Sequence, residues 1–252
     1  YYPIDTIIYP YEALRAEVTC AYTNVSQDSD RTVRRVLMKE SYAGQEQTMF
    51  PQAIYERYCE KTGQTINTIA SDKTGRTLIN YSGKPGDYEC ISLVDVLQGK
   101  IDTRVFKDSI VLVGAYAAGM QDNFNVPNGG NQQMYGVEIH ANILQAFMQN
   151  RFSVNGNPFL FGLLTGLVCA ILHFVFKRTK IWLSTILLIA GVAANLIAGV
   201  ILNNNGIAIS LIYAPLVLIV SYIYCLAIGY ILEKLKPVSY THLRAHETLM
   251  NL

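Results

Sequence analysis

Residues 158–176 read PFLFGLLTGLVCAILHFVF, and the runs Ile181–Leu202 and Ile207–Leu232 repeat the same apolar character. No Asp, Glu, Lys or Arg lies between Arg151 and Lys177, nor between Lys180 and Glu233. A helix rises about 1.5 Å per residue, so each run is long enough to cross a hydrocarbon core of about 30 Å, the third with tilt. A buried helical hairpin of a water-soluble protein would need polar faces on helices of this length, and these runs have none. Three transmembrane α-helices are therefore expected within residues 158–236.

The short connections orient them. Lys177-Arg178-Thr179-Lys180 joins the first two runs and Glu233-Lys234-Leu235-Lys236 follows the third, whereas Asn203-Asn204-Asn205-Gly206 is uncharged. An excess of Lys and Arg marks the cytoplasmic side, which places residues 1–157 outside the cytoplasm. Trp182 sits at the depth an interfacial aromatic prefers. A domain of that size does not cross a membrane unaided, so a signal or anchor helix is expected before Tyr1. Within the runs, Gly162-x-x-x-Gly166 would admit a second helix closely. Asn195 is expected to hydrogen-bond a neighbouring helix, Pro215 to kink the third run, and His173 to reach the interface. No ionisable relay occupies the hydrocarbon depth, which disfavours transport.

Upstream the composition changes. Residues 1–157 carry 14 Lys and Arg against 17 Asp and Glu, a net of −3, which suits a soluble surface. That length suffices to bury one core. Neither charge nor any basic run favours nucleic acid. Cys20, Cys59 and Cys90 show no zinc spacing and allow at most one internal disulfide, whose pairing stays open, while Cys169 and Cys225 sit in apolar runs as small hydrophobes.

Thr6–Tyr9 is a short apolar run, and Thr32–Met38 alternates as a strand does. Pro51–Lys61 sets Ile54, Tyr55, Tyr58 and Cys59 on one helical face. Thr77–Tyr81 is β-rich and stops at the turn Ser82–Gly86. Ser92–Leu97 starts a short helix with Ser92 as N-cap. Ser109–Gly114 (SIVLVG) is apolar on both faces and reads as a central, doubly buried strand. Val137–Asn150 has apolar residues at 137, 141, 144 and 148, a helix docked on that strand. Alternating strands and helices make the class α/β.

Several of these segments together resemble the type-two CHASE domain, an extracellular sensory domain of bacterial signalling proteins. They are Phe106–Ala115 (FKDSIVLVGA), Asp122, Pro127 and Gly136–Asn142 (GVEIHAN), with Asp30–Val36, Ile79–Gly83 and Ile91–Gly99 upstream. The resemblance covers roughly Asp28 to Arg151 and loosely fits the stretch before Val25. It implies an anchor, this domain outside the cell, three helices, and a cytoplasmic output module: a nucleotide cyclase, a kinase or a cyclic-dinucleotide enzyme. The amide-rich loop Met120–Met134 departs from the family pattern, so a ligand preference lodged there would be this chain's own.

Candidate ligand-binding residues are Asp122, Asn123, His140, Asn142 and Arg34. Each has a plainer reading. Glu138 and Asn142 share a helical face, but His140 points some 200° from Glu138, and one His with one Glu is too few for zinc. His140 can simply hydrogen-bond a loop backbone, and Asp122 can cinch the glycine-rich loop. Arg34 and Arg35 are adjacent in a strand and so face opposite ways, a poor joint clamp for an anion. No GxGxxG, GxSxG, HExxH or Walker sequence occurs, and the soluble part offers one histidine for catalysis. No catalytic residue, metal site or cofactor is expected.

The reading is a sensory input module in a bacterial cell membrane, homodimeric, in contact with lipid and an extracellular stimulus of unassigned chemistry. A membrane-anchored binding or scaffold protein without an output enzyme is the alternative. Residues 237–252 change character after Lys236-Pro237, and SYTHLRAHET reads as a translated sequencing-adapter tail.

Overall fold

The structure, a computed structural model, describes residues 7–42 and 45–250, with the backbone alone at 45, 118 and 235–250. It divides into two units, Tyr1–Val154 and Asn155–Leu252. The first is the mixed α/β domain expected; the second holds three long apolar helices.

In the first unit a one-turn helix, α1 (Glu12–Arg15), precedes β1 (Arg35–Leu37) and the hairpin of β2 (Lys39–Tyr42) with β3 (Gln45–Thr48). Helix α2 (Phe50–Thr62) follows, with Pro51 in its first turn, where the missing N–H costs nothing. It stops at Gly63, whose φ of 71° is a left-handed conformation that glycine adopts without penalty. Strand β4 (Arg76–Ile79) pairs antiparallel with β1 in the register Arg35↔Leu78, Val36↔Thr77. After α3 (Leu93–Leu97) come the two-residue strands β5 (Asn123–Phe124) and β6 (Met134–Tyr135), which pair with each other. Helix α4 (Gly136–Met148) leads into β7 (Phe152–Asn155), which lies antiparallel on β4.

The core is where α2 and α4 meet this sheet. Ile139, Ile143 and Phe147 repeat at four-residue intervals along α4 and are buried against Val36, Tyr55, Cys59 and Ile79. Tyr55 stacks on Phe147 at 5.4 Å, and Phe147 meets Phe152 edge-on at 4.8 Å. Each side chain of this size removed from water stabilises the fold by about 1.5–3 kcal/mol.

The expected strand Ser109–Gly114 is absent. These residues have no regular structure, Val111 is 52% and Val113 72% exposed, and no strand lies beside them. A doubly buried strand needs a hydrogen-bonded neighbour and a layer on each face. Here Ser109 and Ile110 instead overhang α2 across a groove of about 1000 Å³ that also takes in Ala53, Arg57 and Lys61. Ser92 precedes α3, and its side chain makes no capping hydrogen bond. The cysteines at 20, 59, 90, 169 and 225 are all free thiols. Thr6 of the first apolar run lies outside the described residues.

In the second unit α5 (Pro158–Phe176) opens with Asn157, whose Oδ1 accepts the amides of Phe159 and Leu160 at 3.0 and 3.3 Å, and with Pro158 at the first position. Helix α6 (Ile181–Asn204) follows, then β8 (Ile207–Ala208) and α7 (Tyr213–Met250). The stretches 158–176, 181–204 and 213–234 are long and apolar enough to cross a membrane.

The third begins later than expected. Gly206 has φ 76° and Ile207–Ala208 are extended, with the Ala208 carbonyl accepting the Gly156 N–H at 2.9 Å, so the helix starts at Tyr213. Pro215 thus falls in the first turn, where no backbone N–H needs a partner, and the expected kink has no cause. Asn195 Oδ1 is buried without a hydrogen bond rather than joined to a neighbouring helix. The backbone of α7 continues helical past Lys236-Pro237 to Met250.

Candidate ligand-binding site

The first turns of α4 carry the polar residues that decide the site, and helical geometry sorts them to different sides. Glu138 is 2% exposed, and its carboxylate accepts the Gly86 N–H at 2.8 Å and the Tyr135 N–H at 3.2 Å. Asn142, one turn on, is fully buried. Its Oδ1 accepts the N–H groups of Ser82 and Gly83 at 3.1 and 2.9 Å, and its Nδ2 donates to the Glu138 carbonyl at 3.1 Å. Asn128 Nδ2 donates to the Gly83 carbonyl at 2.9 Å. Together these bonds clamp the Ser82–Gly86 turn against α4. The Asn142 side chain is engaged in that clamp, and it lines neither of the two cavities described below.

A cavity of about 550 Å³ opens on the Glu138 side, lined by Tyr116, Asn123, Asn125, Gln133 and Tyr135 among others. Asn123 Nδ2 donates to Gln133 Oε1, and Gln133 Nε2 donates to Asn125 Oδ1 at 3.2 Å. Tyr116 and Tyr135 lie 4.3 Å apart. The amide-rich loop therefore supplies a wall, as its composition suggested, with three of its amides, Asn123, Gln133 and Asn125, joined to one another.

His140 faces elsewhere. With Asp122, Phe124, Gly136 and residues Thr23–Val25 it bounds a second cavity of about 350 Å³. The ring is 8% exposed, meets Phe50 edge-on at 5.5 Å, and leaves Nδ1 buried with no hydrogen-bond partner. The expected bond from His140 to a loop backbone is not made through that atom. Burial pushes its pKa below the usual value, while the Thr23 carbonyl and the Asp122 carboxylate pull the other way. Asp122 reaches the cavity because residue 136 is a glycine: a Cβ there would sit 2.5 Å from the carboxylate. The Asp122 carbonyl accepts the Gly136 N–H at 2.9 Å, which anchors the loop to the start of α4.

Arg34 lies apart from both cavities. Its guanidinium bonds Asp30 at 2.8 Å and Asp28 at 3.4 Å, and Arg35 reaches Asp28 at 2.7 Å. Arg34 holds the Asp30 carboxyl well below the usual carboxylate range. The pair closes a local charge cluster and leaves no open anion clamp. Of the five candidates, the fold brings Asp122 and His140 to one cavity and Asn123 to the other. Thr23, Asn24, Tyr116 and Gly136 complete the walls, and no spacing rule could link positions so distant in sequence.

In the second unit His173 does not reach out to an interface. Its Nδ1 lies 2.8 Å from Ser221 Oγ on α7, with Cys225 Sγ at 3.5 Å. Thr185 of α6 and Tyr222 of α7 are joined by a hydrogen bond of 2.7 Å. A polar side chain in an apolar bundle does better with a partner on the next helix than alone. Among the described residues no group of three His, Cys, Asp or Glu is placed to hold a metal ion.

No curated protein and no solved structure matches the chain. The family model of the CHASE2 domain matches residues 7–188, a longer stretch than the motifs between Asp28 and Arg151 marked out, taking in the N-terminal segment and the first apolar helix. An α/β domain followed by three helices able to cross a membrane agrees with that match. The chain belongs to the CHASE2 domain family, the extracellular sensor domains of signalling proteins.

Proposed function

We propose that this chain is the input module of a bacterial transmembrane signalling protein. Residues 7–154 receive a stimulus outside the cell, and the three helices relay it to a cytoplasmic output domain, an adenylate or guanylate cyclase or a kinase. The supporting observation is the junction: β7 ends at Asn155, α5 begins at Pro158, and Asn157 caps it. So short a connection leaves few backbone angles free between the last strand and the first helix, which supports a relay through it. The relay is a shift of population between two helix arrangements, which requires only that the stimulus favour one of them. Open faces at Gly162 and Gly166, where an added Cβ would meet nothing within 4 Å, support a homodimer through α5.

The test uses the protein as the cell produces it. Four glycines inserted between Gly156 and Asn157 should abolish the response to stimulus while leaving basal cyclase or kinase output. A stimulus response that survives the insertion would sink the relay. Absence of any such output from the intact protein would favour a membrane-anchored binding or scaffold protein instead.

A further inference from the structure

We propose that the cavity between His140 and Asp122 binds a small organic ammonium ion, a protonated primary amine. The proposal rests on the reading of residues 7–154 as the sensing part and names the chemistry that part would recognise.

The geometry supplies three features. His140 is more than nine-tenths buried, and its Nδ1, without a partner among the described residues, belongs to a ring that lines the cavity. Buried polar atoms are nearly always satisfied, so an orphaned one in a ring that borders an open space marks a missing donor, which a small turn of the ring would bring within reach. Burial keeps the ring neutral, and a neutral imidazole offers one acceptor nitrogen. The second feature is the Asp122 carboxylate. No hydrogen bond or ion pair to it is formed among the described residues, and Gly136 gives it room to lie over the start of α4. The third is the remaining lining: Thr23 and Asn24 add polar groups, Val25 and Phe124 add apolar wall, and no Lys or Arg is present.

Acceptors and one negative charge, with no cation, select a donor that is positively charged. An anion would be repelled, and a neutral alcohol would leave the carboxylate unpaired in a partly dry site. An ammonium group can donate one N–H to the carboxylate and, with a small turn of the imidazole, another to Nδ1, its alkyl part lying against Phe124, whose ring face also attracts a cation. The volume of about 350 Å³ lies at the small end of the range of about 300–1,000 Å³ usual for small-molecule pockets, which suits a short alkylammonium. Two side chains of metal-binding type are too few for a divalent ion.

Propylammonium is a suitable probe on the whole chain in detergent micelles at pH 7.5. The readout is the imidazole nitrogen resonance of His140, assigned by its loss in His140→Asn. A saturable shift with propylammonium is expected, at least tenfold weaker in Asp122→Asn, with no saturable shift from propan-1-ol or propionate. Three outcomes would overturn the site: no saturation, an equal response to propan-1-ol, or an undiminished response in a folded Asp122→Asn. Saturation by zinc alone, without saturation by propylammonium, would overturn the ligand class. Should Asp122→Asn fail to fold, the comparison of propylammonium with propan-1-ol on the unaltered chain still decides. Propylammonium binding without any change in output of the full-length protein would count against the relay and leave the site standing.

Discussion

Asn142 and His140 stand two residues apart on α4 and are buried for opposite reasons. Asn142 is surrounded by partners, so Asn142→Ala would orphan the amides of Ser82 and Gly83. A loss of about 1–3 kcal/mol is expected, because these amides lie near the surface and water can take up part of the deficit. Thermal unfolding, with amide exchange at 82 and 83, would measure it; unchanged exchange there would refute the clamp. His140 faces Asp122, the Thr23 carbonyl and the Phe50 ring, and its pKa is depressed by burial. A depressed folded-state pKa favours the neutral ring, so the stability it contributes is present above the unfolded value of 6.5 and is lost as pH falls through the folded value. Melting temperature should therefore drop below about pH 6.5, and His140→Asn should flatten that drop. An identical pH profile in the variant would mean the ring is hydrated. Helical spacing alone put Glu138 and His140 on different sides of α4. It could not show that Asn142 faces a turn sixty residues upstream, or that Thr23 closes the histidine cavity, because such pairings depend on how loops return across the domain.

Elements with a clean periodic pattern were legible, and those defined by their neighbours were not. The spacing in Pro51–Lys61 and Val137–Asn150 carries its own burial instruction, and α2 and α4 form there. The run Ile110–Val113 shows only that it is apolar; whether a strand lies beside it depends on residues elsewhere. Because Val113 is exposed, Val113→Asp should change stability by no more than about 0.5 kcal/mol. Gly114→Ala, by contrast, would set a Cβ 2.7 Å from Val137 Cβ and should cost about 1–3 kcal/mol. Chemical unfolding of the two variants separates this arrangement from a buried strand, in which Val113→Asp would be the worse. The third span shows the same limit from the other side: apolar character continues through Ile207–Ile212, but Gly206 and the extended pair after it delay the helix. For α5, Gly166→Leu should lower disulfide cross-linking between copies carrying a cysteine at 163. Unchanged cross-linking would remove α5 from the dimer contact.

At the scale of the whole chain, the division into a charged half and an apolar half was plain in the sequence, since it needs only composition. The direction of insertion follows from Lys177, Arg178 and Lys180 on one side and Asn203–Gly206 on the other. In a background without native cysteines, an impermeant thiol reagent added to intact cells should label position 204 and spare position 179. The reverse pattern would turn the molecule over and take the sensor reading with it.

The bond between His173 and Ser221 constrains how the helices can shift. It lies toward the Lys177–Lys180 end of the second unit, as does the link between Thr185 and Tyr222, so α5 and α6 are both pinned to α7 at that end. Among the described residues no side-chain hydrogen bond joins α5 to another helix at its Asn157 end, where Phe159 is 77% and Leu163 55% exposed, and the tie there is the backbone bond from Gly156 to Ala208. A slide of α5 by one turn, about 5.4 Å, would break the bond to Ser221. A small tilt about the pinned end would not. For the proposed relay this favours a lever with its fulcrum near the charged loop: a push at Asn157 would swing the long arm widely, while the end by Lys177 would turn in place.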